Sequence, residues 1–139
     1  MEADLSCSVS GSGRPLLLVH GWAMHRGVWG PLAARLADRC TVIAVDLRGH
    51  GAAAAQPGPY TFAAMAADLR LLRDRLALDR VTALGASMGV SVLLSLLLQE
   101  PAPWIDALIL MSGTPCFVAR DNWQHGLPRV AVQRLQRRI

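Results

Sequence analysis

The sequence predicts an α/β fold on a mostly parallel sheet with helices on both faces, and three observations carry that prediction. Apolar runs of strand length alternate along the chain with stretches of helical periodicity. That order gives parallel strands joined by right-handed crossovers. The run Pro15-Leu16-Leu17-Leu18-Val19 is apolar without polar alternation, as in a strand covered on both faces. Finally, Gly85-Ala86-Ser87-Met88-Gly89 joins the short run 81–84 to a long apolar stretch, which reads as a sharp strand-to-helix turn.

In order, residues 5–9 suit a short edge strand closed by Gly11-Ser12-Gly13. The strand 15–19 stops at His20-Gly21-Trp22. Gly30-Pro31 opens a helix, with Pro in its favoured first turn and Trp29, Leu32 and Leu36 on its apolar stripe. The strand 41–45 runs into Asp46-Leu47-Arg48-Gly49-His50-Gly51, and 52–59 is a flexible segment rich in Ala, Pro and Gly. Thr61 is a good N-cap for a helix whose stripe is Phe62, Met65, Leu69, Leu72 and Leu76, with Asp68, Arg73 and Asp74 placed off it. After the strand 81–84 and the Ser87 turn, residues 90–99 form a largely buried helix that Pro101 terminates. A last strand is expected at 105–111 and a loop at Ser112-Gly113-Thr114-Pro115. A final helix from Pro128 has Val132, Leu135 and Ile139 on one face and Arg134, Arg137 and Arg138 elsewhere.

At 139 residues the chain is one domain with room for a core, and 53% apolar against 17% charged residues excludes disorder. No run is long enough to span a membrane, and the acidic start lacks a secretory pattern. Cys7, Cys40 and Cys116 are odd in number and widely spaced, so free thiols in a reducing cytoplasm are expected. No metal site or dinucleotide fingerprint is legible, because Gly11-Ser12-Gly13 precedes a strand rather than a helix, and no cofactor is expected. Every basic residue is arginine. The charges of residues 1–119 cancel, and the net +4 falls in the last twenty residues, on Arg120, Arg129, Arg134, Arg137 and Arg138 against Asp121. This suits an acidic protein partner; nucleic acid is not expected, since no aromatics interleave. Solvated arginines on an ordinary helix would give the same pattern.

Serine hydrolysis needs a nucleophile, a base, a group orienting that base, and donors for the oxyanion. Ser87 supplies the first. Loops at the carboxyl ends of parallel strands converge, so the Trp22 and Met88 backbone N–H groups can face a common oxygen beside it. The motifs Leu18-Val19-His20-Gly21-Trp22, Val45-Asp46-Leu47-Arg48-Gly49-His50-Gly51 and Gly85-Ala86-Ser87-Met88-Gly89, in that order, resemble the α/β-hydrolase fold. The segment Pro115-Cys116-Phe117-Val118-Ala119-Arg120-Asp121-Asn122-Trp123 further resembles the pimeloyl-[acyl-carrier protein] methyl ester carboxylesterases of biotin synthesis. The likeness covers nearly all of this chain but only about the first half of a family member.

The resemblance implies Ser87 as nucleophile, an oxyanion hole at Trp22 and Met88, and cleavage of a methyl ester on a pimeloyl chain borne by an acidic carrier protein. It implies that 1–114 is the first part of the hydrolase core and 115–139 the start of a lid, truncated before the last strands. It also places the triad acid and histidine beyond Ile139, so the chain by itself is expected to be inactive. His20 and His50 then read as structural, His25 as a surface residue, and Asp46 and Asp106 as turn and strand-edge residues. An improvised triad of Ser87, Asp121 and His125 has the right chain order but no intervening strand to return the pair over the sheet. The strand 105–111 becomes an apolar edge open to dimerisation or aggregation. The alternatives are another hydrolase of the fold (lactonase, aminopeptidase or general esterase) and a non-catalytic interaction module.

Overall fold

The structure, a computed structural model, describes residues 5–99 and 101–136. Five strands form one sheet in the order β1-β3-β2-β4-β5: β1 Cys7–Ser10, β2 Arg14–Val19, β3 Cys40–Val45, β4 Val81–Ala86 and β5 Ile105–Met111. Only β1 is antiparallel, against β3; the other pairings are parallel. The helices are α1 Gly30–Leu36, α2 Phe62–Arg75, α3 Met88–Gln99 and α4 Arg129–Gln136. The expected final helix is thus present. The faces assigned to Val132, Leu135, Ile139 and the last three arginines, and the acidic start of the chain, lie outside the described residues.

Side-chain alternation along the strands divides the core in two. Leu17, Val19, Ile43, Val45 and Ala83 meet Met65, Leu69 and Leu72 of α2 and Val92, Leu93 and Leu96 of α3. Leu16, Leu18, Val42, Ala44, Leu84 and Ala86 face the other way, onto Trp29, Leu32 and Leu36. β2 lies centrally, with Leu17 opposite Ile43 on one side and Ala83 on the other. This explains its apolar run. Thr61 caps α2 as expected, its hydroxyl accepting from the Ala64 N–H at 3.1 Å.

Three expectations need correction. β1 runs Cys7–Ser10 rather than over 5–9, because its pairing partners in β3 run from Val45 to Val42; the Ser6 carbonyl, accepting from Asp46 N–H at 2.8 Å, extends the same register by one bond. β4 continues to Ala86, since Gly85 and Ala86 still pair with Leu110 and Met111. Asp68, placed off the helical stripe, is 1% exposed. It follows Met65 by three residues and precedes Leu72 by four, so helical geometry turns it inward. There it receives a bidentate pair from Arg48, Nε at 2.8 Å and Nη2 at 2.6 Å. Within 52–59, a 3-10 turn (Gly51–Ala53) buries Ala53.

Candidate active site

Ser87 stands between the last residue of β4 and the first of α3, with φ +50. This left-handed conformation costs a non-glycine residue about 1–3 kcal/mol and persists only where its surroundings impose it. Ser87 N–H donates to the Met111 carbonyl at 2.9 Å, and the Val90 N–H donates to the Ser87 carbonyl at 3.0 Å. The two glycines of the motif permit the close turn. A Cβ on Gly85 would lie 2.7 Å from the Gly89 backbone, and one on Gly89 would strike the Val19 carbonyl oxygen. Helix α3 can therefore start directly against the end of β2.

The β2 loop meets the serine from the other side. Gly21 is buried, and a Cβ there would sit 3.3 Å from Ser87 Cβ. His20 is fully buried and ties this loop to the one after β3. Leu47 N–H donates to His20 Nε2 at 3.1 Å, so the ring proton resides on Nδ1, which donates to the Gly21 carbonyl at 2.7 Å. Burial pushes the His20 pKa down, aided by His50 and His25 and opposed by the Gly21 bond and Asp46. The Trp22 indole is 60% exposed at this edge. Among the described residues, neither the Trp22 nor the Met88 backbone N–H donates to a loop or turn acceptor. Met88, in the first turn of α3, has no carbonyl partner within that helix.

One anchor of this edge is not evident in the sequence. The buried Asp46 carboxylate accepts from Arg26 N–H at 2.6 Å, Arg26 Nη1 at 2.6 Å and Ala52 N–H at 3.0 Å. Arg26 Nη1 also donates to Ser6 Oγ. Burial alone would raise the Asp46 pKa, but the two backbone donors and the Arg26 guanidinium outweigh it and hold the carboxyl below its ordinary range. Asp46 thus fixes the segment after Trp22 to the turn after β3. Its partner lies twenty residues away, which a local reading does not register.

The other histidines are engaged elsewhere. His25 Nδ1 accepts from Gly27 N–H at 3.1 Å, and His50 Nδ1 lies 3.1 Å from the Arg48 carbonyl. His125 is exposed and meets Trp123 edge-on, with ring centroids 5.2 Å apart. Its segment is pinned by Trp123 Nε1 donating to the Cys116 carbonyl at 3.0 Å and Leu127 N–H to the Phe117 carbonyl at 2.8 Å. Among the described residues no hydrogen bond joins Ser87, Asp121 and His125. Asp106 pairs at the surface with Arg80 at 2.9 Å. The three cysteines are free. Among the described residues no helix is long and apolar enough to cross a membrane.

The family described by the α/β-hydrolase fold matches residues 14–134. The chain belongs to the α/β-hydrolase family. A pimeloyl-[acyl-carrier protein] methyl ester esterase of Nitrosomonas europaea is 35% identical over 125 residues, 90% of this chain and 47% of that protein. Its counterpart in Nitrosospira multiformis is 36% identical over 136 residues, 95% of this chain and 51% of the relative. Among solved structures, an esterase of Exiguobacterium antarcticum superposes with a TM-score of 0.87 at 30% identity, covering 96% of this chain and 51% of that one. The chain therefore spans about half the length of the curated relatives it matches.

Proposed function

We propose that the chain supplies the nucleophile and oxyanion side of a serine carboxylesterase site that acts on the methyl ester of a pimeloyl chain carried by an acyl carrier protein in the cytoplasm. The observation that carries this reading is Ser87, held at φ +50 between α3 and Gly21. The substrate class rests on the names of the relatives. Ser87 Oγ attacks the ester carbonyl, and its proton passes by way of a base to the departing methoxide, which leaves as methanol. Water then cleaves the acyl-serine, releasing the carboxylate and restoring the hydroxyl. The Trp22 and Met88 N–H groups take the oxyanion; one such donor contributes about 3 kcal/mol to transition-state stabilisation.

Residues 115–139 act as the start of the lid over this edge. Within this segment a groove of about 1120 Å3 is lined by Arg120, Asn122, Gln124, Arg129 and Gln133, with Asp121 its acidic member. Its exposed arginines suit an acidic carrier.

No histidine is hydrogen-bonded to Ser87 among the described residues, so turnover of methyl pimeloyl-carrier protein by the 139-residue chain should lie near background. The nucleophile is tested by covalent trapping. With the three free thiols first alkylated and imidazole supplied as an external base, an activated p-nitrophenyl ester should place its acyl group on Ser87, read by peptide mass spectrometry, and Ser87→Ala should abolish it. An adduct at another residue, or fast turnover that survives Ser87→Ala, overturns the assignment.

A further inference from the structure

The turn that carries Trp22 is strained, and it is held at both ends. Ala23 sits at φ +57, a left-handed conformation that a side chain disfavours and that lasts only where the surroundings impose it. Within the turn, Met24 N–H reaches the Gly21 carbonyl at a long 3.3 Å. On the near side, buried His20 donates to that same carbonyl and accepts from Leu47 N–H. On the far side the hold is ionic. Arg26 meets the Asp46 carboxylate twice, its backbone N–H at Oδ1 and its Nη1 at Oδ2, both at 2.6 Å. The same Nη1 donates to Ser6 Oγ. The turn after β3 closes the carboxylate from the other direction. Ala52 N–H donates to Oδ2 at 3.0 Å, and a Cβ on Gly51 would lie 2.5 Å from the carboxyl carbon. The Asp46 side chain is 3% exposed, so these bonds act in a medium that screens them little.

We infer that Arg26 and Asp46 are positioning residues, whose clasp holds the strained turn at Ala23 and so aims the Trp22 N–H at the oxyanion of the hydrolytic site proposed above, on which this step rests. Neither side chain touches the reacting atoms. A peptide N–H cannot turn by itself, because the peptide is planar and its direction follows the backbone on either side. Upstream, Gly21 is fixed against Ser87. Downstream, only a restraint beyond Ala23 keeps that residue from relaxing to negative φ, and Arg26 supplies it. Relaxation would redraw the loop beside Trp22 and carry its N–H off the oxygen. A displacement of about 1 Å at a reacting geometry can cost about a hundredfold in rate.

The experiment compares the 139-residue parent with Arg26→Met, Arg26→Lys and Arg80→Met. Amide hydrogen exchange, resolved by nuclear magnetic resonance, reads the turn at 22–24. Acylation of Ser87 by a p-nitrophenyl ester, with thiols alkylated and imidazole as base, reads a limiting rate and a half-saturating ester concentration. Arg26→Met should speed exchange of the Met24 amide about tenfold or more and leave the β2 amides of 16–19 unchanged. It should also lower the limiting rate about tenfold or more at an unchanged half-saturating concentration, since the misplaced donor acts only in the transition state. Arg26→Lys keeps a cation beside Asp46 but lacks the planar fork that reaches Asp46 and Ser6 together. It should show intermediate changes in both readouts, and it decides the matter if Arg26→Met does not fold. Arg80→Met, at the surface pair with Asp106, should change neither readout. Thermal melts identify the folded variants. A folded Arg26 variant with the parent's Met24 exchange, or with a loosened turn and the parent's limiting rate, would overturn the inference. A loss confined to the half-saturating concentration would do the same. If the parent itself is not acylated at Ser87, the hydrolytic reading falls, and Met24 exchange alone decides whether the clasp holds the turn.

Discussion

The Leu47 backbone N–H donates to Nε2 of His20 at 3.1 Å, joining the turn after β3 to the turn after β2 at a fully buried ring. Because Nδ1 already donates to the Gly21 carbonyl, the neutral ring is satisfied at both nitrogens. A proton on Nε2 would set two donors against each other.

This geometry fixes a pH dependence. The folded-state pKa of His20 lies below its ordinary 6.5, first through burial. The folded chain therefore binds fewer protons than the unfolded one. The stability contributed by His20 is fully present above about pH 6.5 and is lost as the pH falls from there through the depressed folded value. Urea unfolding between pH 8 and pH 5 should show a fall in stability that is shallower in His20→Gln. Equal slopes in the two proteins would refute it.

The contact between Gly89 and the Val19 carbonyl leaves no room for a side chain. Gly89→Ala should destabilise the chain by about 1–3 kcal/mol, the usual cost of forcing an atom into a packed interior, because the obstacle is backbone and cannot rotate away. Gly30→Ala is the control, since a Cβ there meets nothing within 4 Å. Denaturant midpoints of the two variants make the comparison. Similar midpoints would mean that α3 does not start against β2.

These cases mark how far the sequence could be read. The strands were legible because a sheet covered on both faces demands uninterrupted apolar runs such as Leu16 to Val19. The Ser87 turn was legible because close approach demands glycine on both sides. The anchors were not. Asp46 and Asp68 are charged residues in a turn and on a helix, where composition favours solvent, and each is buried only because an arginine twenty residues away, Arg26 or Arg48, reaches it. Local periodicity carries no information about such a partner. The exposure of β5 was legible in kind, as an apolar edge. That both of its faces open to solvent depends on where α1 and α3 end.

The Arg48–Asp68 pair yields a thermodynamic cycle. Both side chains are largely withdrawn from water, and the hydrogen bonds to Asp68 raise the Arg48 pKa. Arg48→Met would leave the Asp68 carboxylate buried without its cation, a change that costs about 3–5 kcal/mol. Adding Asp68→Leu should recover most of that loss, because the uncompensated charge is then gone. At the surface pair Arg80–Asp106, Arg80→Met should produce no measurable change in unfolding. If Arg48→Met proved as mild as Arg80→Met, Asp68 would be reached by water.

Ser87 itself offers the clearest test of whether function sets the local conformation. At φ +50 its Cβ is strained, a penalty that glycine does not bear. The gain on relieving it is offset in part by the greater freedom of glycine in the unfolded chain. Ser87→Gly should therefore stabilise the protein by up to about 1 kcal/mol while removing the proposed nucleophile. Ser87→Ala should not, because alanine keeps the Cβ and loses only the hydroxyl. A nucleophile held by the turn thus predicts opposite stability responses for two variants that are equally unable to be acylated. Equal unfolding free energies for Ser87→Gly and Ser87→Ala would show that the strain at the turn is no larger than the freedom glycine adds to the unfolded chain, and the prediction would fail.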